Sequence, residues 1–239
     1  MKVWNWEGFF SYFVNGYLLT GALVTLALAA ATLAIGFVLG MVLVLFRLSG
    51  NPILSGYARF HVWLFRGTPL LVQLIIIYTG LPQLGLARFS VIESALIGLA
   101  LNEAAYLSEI LRGGILSVHQ GQRDAAYSLG LNRSKTFLLI VMPQALRVSI
   151  PALGNSVNGL LKTTSIASVI SMEELLRRGQ ILMQQRFEVL EVFTCIAILY
   201  LCMTTLWEMV QRRIEAHFAK GYAAKAPEDD SPELARDAR

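Results

Sequence analysis

The chain has 239 residues, of which 55% are apolar and 15% charged, with a formal net charge of +4. Average soluble domains carry about 25% charged residues, so this composition, with its positive mean hydropathy, excludes an ordinary soluble domain. No interleaving of basic and aromatic residues of the nucleic-acid-binding kind occurs either. A hydrocarbon core of ~30 Å is crossed by about 20 apolar residues in a helix. Several runs reach that length, so the expected fold class is an all-α polytopic membrane protein with about five transmembrane helices.

The first segment, residues 1–16, mixes Trp4, Trp6, Phe9, Phe10, Tyr12 and Phe13 with polar residues. Such aromatics favour the membrane interface, and the segment lacks the basic start and small-residue cleavage site of a signal peptide. The first span is expected over 17–46. It carries Gly36 and Gly40 at a small-xxx-small spacing, which allows close helix approach either within the chain or between chains. A second span is expected over 57–81, with a bend at Arg66-Gly67-Thr68-Pro69, since the residue before proline resists the α region. The third covers 91–111 and holds Asn102, Glu103, Tyr106 and Glu109; Glu109 and Arg112, three apart, suit a structural ion pair.

Residues 117–144 form a polar interlude between apolar runs. Asp124-Ala125-Ala126 starts one helical run, Gly130 interrupts it, and a second run from Ser134 to Val141 is expected to end at Pro143. The fourth span, 145–170, is the least apolar and carries Asn155, Ser156, Lys162 and Thr163. A polar helix at membrane depth faces protein or a water-filled cavity. Residues 171–188 are too charged to span, and their leucine and isoleucine spacing predicts an amphipathic helix lying at the outer surface. The fifth span covers 189–210. Residues 214–239 read as a disordered cytoplasmic tail without an apolar face. Cys195 and Cys202, seven apart on one helix, lie about 10 Å apart by helical rise, too far for a disulfide. The three histidines are scattered and no metal site is expected. Basic residues cluster beside one set of loops, which places the N-terminus outside, the C-terminus in the cytoplasm, and the 117–144 loop in the cytoplasm.

With those residues in place, a family pattern emerges. Asp124-Ala125-Ala126, then Gly130, then Ile140-x-Met142-Pro143 resembles the cytoplasmic "EAA" loop of binding-protein-dependent ABC importer permeases. That family pattern has Glu-Ala-Ala, Gly and Ile-x-Leu-Pro at the same spacing, so this chain departs by Asp for Glu and Met for Leu. Glu103-Ala104-Ala105 is a decoy, because it lies in a span and has neither the Gly nor the Pro at the required distances. Phe65-Arg66-Gly67-Thr68-Pro69-Leu70, Gln73, Tyr78-x-Gly80-Leu81-Pro82, Leu101-Asn102, Ala105-Tyr106, Glu109, Gly121, Pro143-Gln144-Ala145 and Pro151-x-x-x-Asn155 are similar to type I permeases for polar amino acids, the histidine, glutamine, arginine and cystine group. The similarity runs from about residue 17 to residue 213, the unit expected to form the transmembrane domain.

The resemblance implies a subunit of a multi-pass inner-membrane importer. It implies a second permease, identical or a sister subunit, two ABC ATPase subunits, and a periplasmic or lipid-anchored amino-acid-binding protein. ATP and Mg would bind the ATPase, since this chain has no Gly-x-x-x-x-Gly-Lys-Ser/Thr loop; no cofactor of its own and no enzymatic activity are expected. Asp124, Ala125, Ala126, Gly130 and Pro143 would couple the spans to the ATPase. Polar groups inside the spans are candidates for the substrate pathway: Thr68, Asn102, Glu103, Asn155, Ser156, Lys162 and Thr163. A buried Lys162 ammonium must find a partner, either a substrate carboxylate or Glu103. Glu173, Arg177 and Arg178 on the outer helix would contact the binding protein. Relatives for cationic substrates tend to carry an acid where this chain has Ser156 or Thr163, which favours a neutral or zwitterionic amino acid, whereas Glu103 argues the other way. A secondary transporter or channel would also explain spans with buried polar groups, but no paired inverted halves are evident. An intramembrane hydrolase lacks support, since Gly154 to Gly159 is not a nucleophile elbow.

Overall fold

The computed structural model describes residues 4–219, and helices make up its regular structure, with no strand among the described residues. The chain starts with α1 (Trp6–Phe13), capped by Asn5, whose side chain accepts from the Gly8 amide at 3.0 Å. Asn15 then caps α2 (Gly16–Leu48), and Asn51 with Pro52 starts α3 (Pro52–Gly67). Each asparagine satisfies amides that the first helical turn leaves unpaired.

α3 is followed by α4 (Leu70–Ile75), a π turn over Ile76–Gly80 and α5 (Leu81–Gln83), and the two halves of this span meet at 105°. Thr68, ahead of Pro69, is extended at φ −123° and ψ 148°, as the proline requires. The second span is therefore a sharply broken pair, with the break at the expected bend, and its first helix starts at Pro52 rather than at 57.

α6 (Val91–Ser117) opens with a capping box between Ser90 and Glu93 and packs along α2. A Cβ added to Gly36 would lie 3.2 Å from the Glu103 Cβ, and one added to Gly40 would lie 3.2 Å from the Ala104 carbonyl oxygen. The glycine pair thus serves packing within the chain. Glu109 and Arg112 form the expected ion pair at 2.7 Å.

Two short helices follow, α7 (Gln120–Ser128) and α8 (Arg133–Thr136), then a π turn (Phe137–Val141) and α9 (Met142–Thr163). Pro143 does not end the helical run. The preceding turn widens so that the Met142 amide bonds to the Phe137 carbonyl, five residues back, and the Leu81 amide before Pro82 does the same to Ile76. A π turn keeps each proline ring from colliding with a carbonyl four residues earlier. The fourth span consequently runs without a break from Arg133 to Ile170, its last turns being a 3-10 helix (Thr164–Ile170).

α10 (Leu175–Arg186) and α11 (Val189–Ala219) complete the chain. α10 buries one of its faces. Leu175, Gly179 and Leu182 are buried, and the helix wedges between α2 and α11, with the Leu175 amide 3.2 Å from the Thr25 hydroxyl. α11 stays helical through residues 214–219, which the expected tail included; the rest of that segment, 220–239, lies outside the described residues. Cys195 and Cys202 are free, the first buried and the second exposed.

Among the described residues, four helices are long and apolar enough to cross a membrane, or five with the broken α3–α5 pair counted as one span. The core is stratified along the spans. Tyr12, Leu18, Leu175 and Val192 fill one end, Leu28, Leu74, Leu99 and Ile170 the middle, and Val44, Leu111, Ile115 and Val141 the other end. Large apolar side chains such as Leu23, Val38, Trp63 and Leu206 stay exposed, as a surface facing acyl chains requires.

Candidate functional site

Four polar constellations stand out, one at each end of the spans and two at membrane depth. The first is the corner between α7 and α8. α7 ends in a Schellman motif: Gly130, at φ +81°, donates to the Tyr127 carbonyl at 2.9 Å, and Leu131 donates to the Ala126 carbonyl at 3.1 Å. Asn132 then caps α8 by accepting from the Lys135 amide at 2.9 Å. The inner side of the corner is anchored by buried Ala126 and by Arg123, whose Nη2 donates to the Ile115 carbonyl at 2.8 Å. Its outer side presents Asp124, Ala125, Ser128 and Leu129, the last 83% exposed. The Asp124 carboxylate accepts from Gln120 at 3.0 Å. Of the residues singled out in the loop, Asp124, Ala125, Gly130 and Pro143 are exposed, whereas Ala126 packs inside the chain.

At membrane depth the structure gathers two separate groups. Around the α3–α4 break, Gln73 Nε2 donates to the Phe65 and Thr68 carbonyls at 3.0 and 3.1 Å and to the Thr68 hydroxyl at 2.9 Å. Asn102 Nδ2 donates to the same Phe65 carbonyl at 2.9 Å and to Gln73 Oε1 at 3.1 Å. The Thr68 hydroxyl donates to the Leu64 carbonyl at 2.8 Å. Thr68 and Asn102 thereby serve the carbonyls that the broken helix leaves without amides. Gln73, the central member, stood in the sequence only as one letter of a family pattern. Its signal was a lone amide in the apolar run Leu70–Ile77.

The second group lies between α6, α9 and α11. The Ser156 hydroxyl donates to the Glu103 carboxylate, and Glu103 is 8% exposed against Gly36. Asn155 is exposed and accepts from Gln211 at 3.4 Å. Thr163 is half-buried. Lys162 does not reach Glu103; it is exposed, forms no ion pair among the described residues, and edges an open groove of about 450 Å³ with Ser165, Tyr200 and Thr204. Glu103, Asn155, Ser156 and Lys162 thus lie near the exposed stripe of α9, while Thr68 and Asn102 belong to the break.

At the far end, Glu173 and Arg177 flank the start of α10, with Glu173 exposed and Arg177 half-buried. Arg178 is held within the chain: it donates to the Tyr17 carbonyl at 3.0 Å, and its guanidinium carbon sits 4.6 Å from the Tyr17 ring centre. Glu174, which sequence reasoning passed over, is fully buried and caps α10. Its carboxylate accepts from the Leu176 and Arg177 amides at 2.9 and 2.8 Å and from the Tyr200 hydroxyl at 2.8 Å. Burial pushes this carboxyl above its ordinary range, outweighing those hydrogen bonds.

Residues 32–220 match the family described as binding-protein-dependent transport system inner membrane component. The chain is 38% identical to the arginine transport system permease protein ArgU of Corynebacterium glutamicum, over 92% of this chain and 74% of the relative. It is 36% identical to the glutamine transport system permease protein GlnP of Escherichia coli, over 83% of this chain and 91% of the relative. A crystal structure of an amino acid ABC transporter with histidines superposes with a TM-score of 0.84 at 32% identity, covering 91% of this chain and all of that one. The MetNI methionine ABC transporter in an inward-facing conformation shares the fold, with a TM-score of 0.72 at 19% identity, over 84% of this chain and 96% of that one. The chain therefore belongs to the binding-protein-dependent transport system inner membrane component family, as a multi-pass inner-membrane permease subunit of the amino-acid ABC importer type.

Proposed function

We propose that this permease docks a separate ABC ATPase through its α7–α8 corner and carries a polar amino acid along the exposed stripe of α9. The corner supports this reading most directly. A helix end turned by Gly130 leaves Asp124, Ala125 and a bare Leu129 pointing away from the chain, and an apolar side chain exposed beside an acid suits a partner's groove. Closure of the ATPases would pass through Arg123 and Ala126 into α6 and α9, which flank the corner. The N-terminus would lie outside and the C-terminus in the cytoplasm, with ATP and Mg held by two ATPase subunits. A second permease, identical or a sister, would complete the pathway.

The substrate reading is a neutral or zwitterionic amino acid. The Lys162 ammonium, without an ion pair among the described residues, offers a counter-charge to an α-carboxylate, whereas Glu103 is occupied by Ser156. The relatives named above for arginine and glutamine support an amino-acid cargo. Glu173 and Arg177 remain the candidate contacts for an external binding protein, steered by charge.

The coupling role is tested with Gly130→Pro. Proline locks φ near −65° and cannot take up the left-handed geometry of Gly130. Insertion into the membrane should persist while co-purification of the ATPase and uptake both fall. Normal co-purification with normal uptake would refute the assignment.

A further inference from the structure

Among the described residues, two buried donors at the α7–α8 end of the bundle lack a partner, and both residues line one cleft. Arg123 Nε and the Thr136 hydroxyl are shut off from solvent with no hydrogen-bond acceptor, and Thr136 is only 1% exposed. Buried donors are nearly always satisfied, so the walls of this cleft are short of acceptors among the described residues. The cleft has a volume of about 440 Å³ and lies between the end of α2, the end of α6 and the α7–α8 corner.

Its chemistry is one-sided. Arg123 and Arg133 line it and no carboxylate does, while Leu45, Leu48 and Phe137 form its apolar wall. Leu45 and Leu48 are 45% and 43% exposed at the last turns of a membrane span. The apolar wall is therefore continuous with the surface that meets acyl chains. A ligand with acceptor oxygens, negative charge and an attached hydrocarbon matches every part of this lining. Basic pockets between helices at the membrane surface take anionic headgroups in this way. The outward face of the corner, with Asp124, Ala125 and Leu129, is not part of the cleft.

We propose that this cleft binds the phosphodiester of an anionic phospholipid from the leaflet where α2 ends. The phosphate oxygens accept from guanidinium N–H groups of Arg123 and Arg133, and the chains run along Leu45 and Leu48. The bound lipid braces the corner against α2 and makes transport depend on anionic lipid. Only that last consequence rests on the coupling role proposed above; binding itself does not.

Native mass spectrometry of the full chain tests it, with phosphatidylglycerol and phosphatidylcholine titrated onto the delipidated protein. Phosphatidylglycerol should be retained in preference, and Arg123→Gln and Arg133→Gln should each weaken its binding about fivefold while leaving phosphatidylcholine unchanged. Arg133 is exposed, so its variant keeps the test valid if Arg123→Gln fails to fold. Equal retention of the two lipids, or retention indifferent to Arg133→Gln, would overturn the proposal. So would inorganic phosphate competing as well as the lipid, which would mark a free-anion site, or displacement of the lipid by the co-expressed ATPase. Because retention is read on the isolated chain, it stands or falls independently of whether Gly130→Pro disturbs coupling.

Discussion

Removing Gln73 and Asn102, singly and together, tests the account of the broken second span. An amide nitrogen carries two protons, so Gln73 Nε2 can serve two of its three acceptors at once. With the bond accepted by its Oε1 from Asn102, Gln73 makes about three bonds, and Asn102 makes two. Hydrogen bonds between membrane helices are worth ~0.6 kcal/mol on average. Gln73→Leu should thus cost about 2 kcal/mol and Asn102→Leu about 1 kcal/mol at that average value. The bond between the two side chains is counted in both singles, so the double variant should be milder than their sum by about 0.6 kcal/mol. Reversible unfolding in mixed micelles measures all four proteins, with uptake in vesicles as the functional readout. Strict additivity, or singles indistinguishable from the parent chain, would refute the clamp and leave the 105° break held by backbone geometry alone.

Gly36→Leu should drive α2 off α6, because even a Cβ there lies 3.2 Å from the Glu103 side chain. An overpacking cost of about 1–3 kcal/mol is expected in the same unfolding assay, and an unchanged midpoint would contradict the packing. Lys162→Ala should leave stability within about 0.5 kcal/mol, as for a surface site, while lowering uptake, with partial recovery in Lys162→Arg; unchanged uptake would remove Lys162 from the pathway. Glu174 predicts a pH dependence. Its carboxyl is raised above the ordinary value of 4.5 in the folded chain, so the native state holds the proton more tightly than the unfolded one. That contribution is complete below about pH 4.5 and is lost as pH rises through the raised value. The melting point of the parent chain should fall relative to Glu174→Gln over that rise, and a constant difference would count against it.

What could be read from the sequence divides along the range of the interactions. Local signals carried far: Pro69 marked the break, Gly130 marked the corner, and runs of apolar residues marked the spans. Pro143 misled because its effect depends on the turn before it, where a single widened turn lets the helix pass. The charges of residues 171–188 suggested a surface helix. Glu174 is nevertheless fully buried, because its partners, Tyr200 and the turn carrying Thr25, come from distant parts of the chain. For the same reason the polar residues of the spans looked alike in sequence. Only the fold separates Thr68 and Asn102, spent on the broken helix, from Lys162, which faces an open groove. Gly36 and Gly40 fitted contacts within or between chains, and the closeness of Glu103 and Ala104 decides for the former.

The central claim is that this permease moves an amino acid at the expense of ATP hydrolysed by a partner docked on the α7–α8 corner. Its most direct test is uptake into vesicles holding the chain with its co-expressed ATPase, with the cognate binding protein and labelled amino acids outside. Accumulation that requires ATP inside, and disappears when the ATPase or the binding protein is left out, is the predicted result. Accumulation driven by an ion gradient without ATP would contradict it.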